Sequence, residues 1–260
     1  MRLLFIGDVV GRPGREALAA AMPELRAERM PDLVVVNGEN AAGGVGVTKE
    51  TAEELFAAGA EVITLGNHTY RHREVYSYLD SEQRIIRPAN FAAPNPGRGH
   101  TIVEAAGMRV AVVNLSGQMH LQVDRNPFPA IDELLDSLAG AADAVVVDFH
   151  AELTSEKVAM GWHLDGRVAA VLGTHTHVPT ADARVLPGGT AHISDVGMTG
   201  SRAGVIGVRR EQALEAFRTQ MPVRFDTADE DIWLMGVAVE IGDDGLARGI
   251  EQVLTPVPSS

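Results

Sequence analysis

The chain has 260 residues, of which 45% are hydrophobic and 22% charged, with nine histidines, no cysteine and a formal net charge of −13. A chain of this length buries roughly three quarters of its unfolded surface, enough for one large packed domain. The lack of cysteine excludes disulfides and thiolate catalysis and fits a reducing compartment, and the acidic balance argues against duplex nucleic acid as a partner, which calls for a basic face.

The first apolar run, residues 3–6, is a strand candidate that ends in Gly7-Asp8, too short for the core of a signal peptide. A helix is expected over 13–29, with proline near its start, then a strand over 33–36 leading to Asn37-Gly38-Glu39-Asn40. A second helix is expected over 48–58, where Thr51 and Glu54 stand at capping-box spacing. A strand over 62–65 ends in Gly66-Asn67-His68, and short helices are expected over 73–79 and 131–138. Strands over 110–115, 144–149 and 168–172 follow, the last two running into His150 and into Gly173-Thr174-His175-Thr176-His177. These runs are apolar on both faces and alternate with amphipathic stretches, the pattern of a largely parallel sheet covered by helices.

The texture changes after His177. Residues 183–186, 191–194, 235–241 and 247–254 read as strands joined by turns such as Pro187-Gly188-Gly189 and Gly242-Asp243-Asp244-Gly245, expected to form an antiparallel second sheet, with a helix over 210–219. A single domain over 1–254 with a tail over 255–260 is expected. No run approaches the ~18 apolar residues of a membrane span, so the expected address is the cytoplasm and no membrane partner is expected.

Five strand ends therefore finish in Asp8, Glu39-Asn40, Asn67-His68, His150 and His175-x-His177. Open α/β sheets place ligands at the carboxyl ends of their strands, and Asp, Glu, Asn and His are together the donor set for divalent metals. Taken singly, Asp8 reads equally as a turn or helix-capping residue, and a lone His150 reads more readily as a hydrogen-bonded rim histidine than as a ligand. All five segments in this order point to two metals and the hydrolysis of a phosphate ester.

In this order the motifs resemble the calcineurin-like metallophosphoesterase superfamily. Gly7-Asp8-Val9-Val10-Gly11, Asn37-Gly38-Glu39-Asn40 and Gly173-Thr174-His175-Thr176-His177-Val178 are similar to the YmdB-like branch of bacterial phosphodiesterases, over nearly the whole chain. The resemblance implies a four-layered α/β/β/α sandwich with two mixed sheets and a dinuclear centre. By position it implies one metal on Asp8, Glu39, Asn40 and His177 and another on Glu39, Asn67, His150 and His175, with Glu39 and a hydroxide bridging. The catalytic role falls to His68, as proton donor or phosphate binder. The implied ions are Fe or Mn, with Zn or Co compatible with the same mixed N/O donors. The implied activity is hydrolysis of a phosphodiester, with a 2′,3′-cyclic nucleotide as the first-choice small-molecule substrate. A phosphomonoesterase or 5′-nucleotidase with the same centre, and a slow-turnover metal-binding regulator, are the alternatives; a homo-oligomer is compatible with the sequence.

Three positions depart from the superfamily pattern. Val10 stands where a metal-binding His is usual, Glu39 replaces a bridging Asp with Asn40 beside it as a substitute for the missing imidazole, and Thr69 replaces the acidic partner of the catalytic His. Among other residues, His120 and His192 are expected nearest the site, His72, His100 and His163 away from it, and residues 194–200 at its rim. Residues 43–46 read as a glycine-rich turn beside Glu39, and Tyr70-Arg71 and Arg73 as weak candidates for phosphate contact.

Overall fold

The computed structural model describes residues 1–258. Its elements in chain order are β1 (Arg2–Ile6), β2 (Asp8–Val9), α1 (Gly11–Arg29), β3 (Leu33–Asn37), α2 (Lys49–Ala57), β4 (Val62–Thr64), a 3-10 turn (Arg73–Val75) running into α3 (Tyr76–Ser81), β5 (Ile85–Ile86), β6 (His100–Ala105) and β7 (Met108–Ser116). There follow α4 (Pro127–Leu138), β8 (Ala144–His150), α5 (Thr154–His163), β9 (Ala170–Thr174), β10 (Arg184–Val185), β11 (Ala191–Ile193), β12 (Met198–Ser201), α6 (Arg210–Thr219), β13 (Ile232–Ile241) and β14 (Ala247–Pro256).

Side chains alternate across a strand, so a strand apolar at every position must be covered on both faces. Leu4 and Ile6 of β1 and Val34 and Val36 of β3 face one core, packed with Leu18, Met22 and Leu55 of α1 and α2. Leu3, Phe5, Leu33 and Val35 face the opposite way, into a second core shared with Val146 of β8, Leu172 of β9 and Val237 of β13. Val147 and Val171 then face a third core with Ile131 and Met160 of α4 and α5. Three cores separate four layers, the α/β/β/α sandwich.

One sheet runs β2-β12-β13-β1-β3-β4-β5, with β14 also paired to β13; the other runs β10-β11-β9-β8-β7-β6. β1, β3, β4 and β5 are mutually parallel, as are β7, β8, β9 and β11. The carboxyl ends of both parallel sets therefore supply the loops that carry the candidate residues.

The structure corrects several expectations. The strands after His177 do not form a sheet of their own: β13 and β14 join the first sheet through the antiparallel β13–β1 pairing, while β10 and β11 extend the second. The capping box of α2 uses Thr48 and Thr51, not Thr51 and Glu54. α4 begins at Pro127, four residues before the expected start, because Asn126 accepts the Phe128 N–H at 3.0 Å and proline suits the first helical position. The tail expected from Thr255 is shorter: β14 pairs to Pro256, and the Val257 N–H donates to the Ile232 carbonyl at 2.8 Å. Residues 259–260 of that expected tail lie outside the described residues. Among those described, no helix is long and apolar enough to cross a membrane.

Candidate metal centre

Asp8, Glu39, Asn40, Asn67, His68, His150, His175 and His177 come together in one cluster. Asp8 is fully buried in β2 and does not cap α1, whose N-cap is Val10. Its Oδ2 accepts the His175 N–H at 3.2 Å, while Oδ1 lies 3.7 Å from His177 Nε2 and has no hydrogen-bond partner. Glu39 is also fully buried. Its Oε2 accepts the His68 N–H at 3.1 Å, and its Oε1 lies 3.0 Å from His150 Nε2 and 3.4 Å from His68 Nδ1.

The tautomers follow from the donors that are already committed. The Thr174 hydroxyl donates to Asp148 Oδ1 at 2.7 Å, so its oxygen accepts from His150 Nδ1 at 2.8 Å. That leaves His150 Nε2 facing two oxygens, Glu39 Oε1 and Asn67 Oδ1, each at 3.0 Å. Three electron-pair donors converge with at most one proton among them, the arrangement of ligands around a cation. The Asp148 carboxylate, whose other oxygen accepts from Asn37 Nδ2 at 2.9 Å, is pushed up to about 6 by burial. In the metal-free chain burial opposes a charge on His150, but Glu39 and Asp8 outweigh it and raise the ring to about 9. A proton there stands in for a cation.

His177 repeats the logic. Its Nδ1 donates to the Ile206 carbonyl at 2.9 Å, and its Nε2 lone pair points at Asn40 Nδ2, 3.0 Å away. His175 stacks edge-on to His150 with ring centroids 4.7 Å apart. Burial, reinforced by the charge of His150, depresses His175 to about 3, so a neutral ring lies with its Nε2 2.9 Å from a Glu152 carboxylate oxygen. A metal-binding imidazole commonly gives its second nitrogen's proton to a carbonyl, hydroxyl or carboxylate, which fixes the ring. His150 and His177 are held in this way, by Thr174 and by the Ile206 carbonyl. Glu39, His150 and His175 each present a donor atom within 4.8 Å of the others. The orphaned Asp8 Oδ1 and the converging donors fit two bound cations.

The His-x-His segment is strained and clamped. His175 and His177 both have positive φ, 95° and 66°, in a region sparsely populated by non-glycine residues. Between them, the Thr176 N–H and hydroxyl both donate to Asp195 Oδ2, at 3.0 and 2.6 Å, and the buried Lys157 ammonium pairs with the same oxygen at 2.8 Å. The 194–200 segment is thus the seat of the histidine pair. Thr174, Asp195 and Lys157 hold this part of the cluster in place; Thr174 and Asp195 lie in segments already marked by the sequence, whereas Lys157 stands in no motif.

His68 is the exposed member of the cluster, 36% accessible at its side chain, with Nδ1 3.0 Å from Asn40 Oδ1. His120 lines the same cleft as Asn67. His192 does not reach the centre: it is buried against Gly161 of α5, and neither ring nitrogen has a partner. The 43–46 turn packs on residues 71–72, where His72 Nε2 meets the Val45 carbonyl at 2.9 Å.

Comparison with known proteins agrees with this geometry. Residues 4–253 match the model of a family described as YmdB-like protein. A 2′,3′-cyclic-nucleotide 2′-phosphodiesterase of Bacillus subtilis is 47% identical over 98% of this chain and 97% of its own. A crystal structure of a hypothetical protein from Thermus thermophilus superposes with a TM-score of 0.93 at 40% identity, over 99% of this chain and 100% of that one. A novel phosphatase from Mycoplasma pneumoniae gives 0.93 at 34%, over 100% and 94%. A 5′-nucleotidase precursor from Thermus thermophilus, at 13% identity and a TM-score of 0.60 over 54% of its length, shares the fold alone. With its matched residues spanning nearly the whole sequence, the chain belongs to the YmdB-like protein family.

Proposed function

We propose that this protein is a metal-dependent phosphodiesterase that opens 2′,3′-cyclic nucleotides at the 2′ ester, working in the cytoplasm. The observation that carries the reading is the convergence of His150 Nε2, Glu39 Oε1 and Asn67 Oδ1 beside the orphaned Asp8 Oδ1. The Bacillus subtilis relative, named for that activity, supports the choice of substrate. The proposed ligands are Asp8, Glu39, Asn40 and His177 for one cation and Glu39, Asn67, His150 and His175 for the other, with Fe or Mn first and Zn or Co next for mixed N/O donors. Paired cations supply charge neutralisation for phosphoryl oxygens and a lowered pKa for a bound water.

The chain's own groups do the rest. Asp8 and Glu39 set the charge of the site, and the clamped histidines keep its geometry through turnover. As water oxygen bonds to phosphorus, the bond from phosphorus to O2′ breaks and O2′ leaves as an alkoxide, a poor leaving group in need of a proton. His68 Nδ1 donates to the Asn40 side-chain oxygen, so Nε2 is the free atom, and it delivers that proton from the doubly protonated ring, which is left neutral. The product is a nucleoside 3′-monophosphate.

The test pairs metal analysis of the purified protein with a hydrolysis screen of 2′,3′-cyclic nucleotides, 5′-monophosphates and p-nitrophenyl esters. Two metals per chain and preferred opening of the cyclic diester are expected. Turnover of 5′-monophosphates with the cyclic diester untouched would replace this reading by the nucleotidase one. Two metals without hydrolysis of any ester would leave the regulatory one.

A further inference from the structure

A cleft of about 490 Å³ adjoins the centre, and Asn67 belongs to both: its side-chain oxygen lies 3.0 Å from His150 Nε2, and the residue lines the cleft wall. That volume lies in the range of small-molecule sites. The walls carry the rings of Tyr70 and Phe91, whose centroids are 6.1 Å apart and tilted by 39°. Tyr70 is fixed before any ligand arrives. Its hydroxyl donates to the Pro96 carbonyl at 2.8 Å, and Tyr76 packs edge-on at 5.5 Å and 87°. The ring therefore offers a face and no spare donor.

Other lining groups narrow the ligand. Leu121 and Val123 add apolar surface, while Asn95 and Gln122, neither of them buried, bring side-chain amides to the lining. Among the described residues no Lys or Arg lines the cleft, and its one histidine, His120, is accompanied by Asp124, so the lining carries no excess of positive charge to select a phosphate. A flat, uncharged, aromatic group with donors and acceptors on its edge fits this lining. In a cyclic nucleotide that group is the base, one ribose away from the phosphate.

We propose that this cleft is the nucleobase subsite, with Tyr70 and Phe91 stacking on the base and Asn95 and Gln122 meeting its edge. The proposal rests on the phosphodiesterase reading above and deepens it. Stacking is sequence-tolerant, because every base has a π-face, whereas the two amides give a means of preferring one base. Base-aromatic stacking is worth about 1–3 kcal/mol per base, a factor of about 5 to 150 in affinity.

The experiment compares metal-loaded wild type with Phe91→Ala, Asn95→Ala and Gln122→Ala. The substrates are 2′,3′-cyclic nucleotides of all four bases and methyl riboside 2′,3′-cyclic phosphate, which has the same ester and no base. For Phe91→Ala the ratio of kcat/KM on cyclic nucleotide to kcat/KM on the riboside should fall about 5- to 150-fold, through KM. Asn95→Ala and Gln122→Ala, on or near the surface, should instead alter the ranking of the four bases. A second readout needs no turnover: adenosine added to metal-stripped protein should shift the ring resonances of Tyr70 and Phe91. Equal losses on the riboside, or an unchanged ratio and ranking with unmoved resonances, would overturn the subsite. Wild type cleaving the riboside and the nucleotides equally would remove the subsite and keep the phosphodiesterase. Wild type cleaving neither would remove the phosphodiesterase reading itself.

Discussion

The sharpest perturbation of the centre is the addition of one methyl group at a residue that is not a ligand. Gly66 lies between β4 and Asn67, and its φ is outside the left-handed region, so alanine meets no backbone strain there. A Cβ at that position would fall closer than 3.0 Å to Glu39 Oε2 and to Cδ2 and Nε2 of His150. Neither side chain can swing away: both are fully buried, Glu39 is held by the His68 N–H and His150 by Thr174. Overpacking of this kind costs about 1–3 kcal/mol. For a chain this long each kcal/mol lowers Tm by about 2–4 °C, so Gly66→Ala in metal-stripped form should melt about 2–12 °C lower. Function should suffer more. Displacing groups that orient a metal costs about 10–100-fold in affinity, and a displacement near 1 Å costs about 100-fold in rate. Calorimetry, metal content after dialysis and kcat/KM on a 2′,3′-cyclic nucleotide give the three readings. Gly249→Ala, where a Cβ meets nothing within 4 Å, is the control and should match wild type. Gly66→Ala with full metal content and full kcat/KM would refute the placement of Glu39 and His150 around a shared cation.

Glu39→Gln should lose metal and hydrolysis together, because its carboxylate is assigned to both ions, whereas His175→Ala and His177→Ala should each lose about one metal per chain; elemental analysis that finds two metals in any of them removes that residue from the ligand set. His68→Ala should keep both metals and slow opening of a cyclic nucleotide by about 10²–10⁴-fold, with a much smaller loss on a p-nitrophenyl diester, whose leaving group needs no proton. Equal losses on the two substrates would assign His68 to phosphate binding. Metal uptake should be pH-dependent: with His150 raised from 6.5 to about 9 in the metal-free chain, an entering cation displaces that proton, so affinity should climb about tenfold per unit up to about pH 9. Without metal, the stability contributed by the charged ring is complete below pH 6.5 and is lost as pH rises through about 9. Chelator-competition titrations and melting curves between pH 6 and 9.5 check both signs, and a flat profile contradicts the His150 assignment.

The centre was legible because its residues sit where local pattern is strongest. Asp8, Glu39, Asn67, His150 and His175 each follow a strand packed on both faces, and a doubly covered strand must be apolar throughout before it breaks into a loop. Legibility failed where long-range contact overrides pattern. α5 went unread because Glu156 and Lys157 turn inward, Glu156 to accept the Gln118 N–H at 2.9 Å and Lys157 to meet Asp195. Two buried charges in its first turns erase the amphipathic signature. β12, Met198-Thr199-Gly200-Ser201, has no apolar run and exists through its pairing with β2 and β13. The allotment of β13 and β14 to the first sheet depends on β1, more than 200 residues upstream in sequence, a pairing that no local signal records.

The departures from the superfamily pattern resolve into one side chain. Val10 removes an imidazole and Thr69 removes the acidic partner of His68, and Asn40 answers both. An amide has a donor end and an acceptor end, so one residue can engage two rings at once. In this structure Asn40 Nδ2 meets His177 Nε2 at 3.0 Å while Oδ1 meets His68 Nδ1 at 3.0 Å. A carboxylate at position 40 could not do the same, because it has no donor to give to a ring lone pair. The pairing also ties the ring held nearest Asp8 to the ring most open to substrate. Asn40, which the motif offers as the substitute for a missing imidazole, is in this structure a hydrogen-bonding bridge between the rings of His177 and His68.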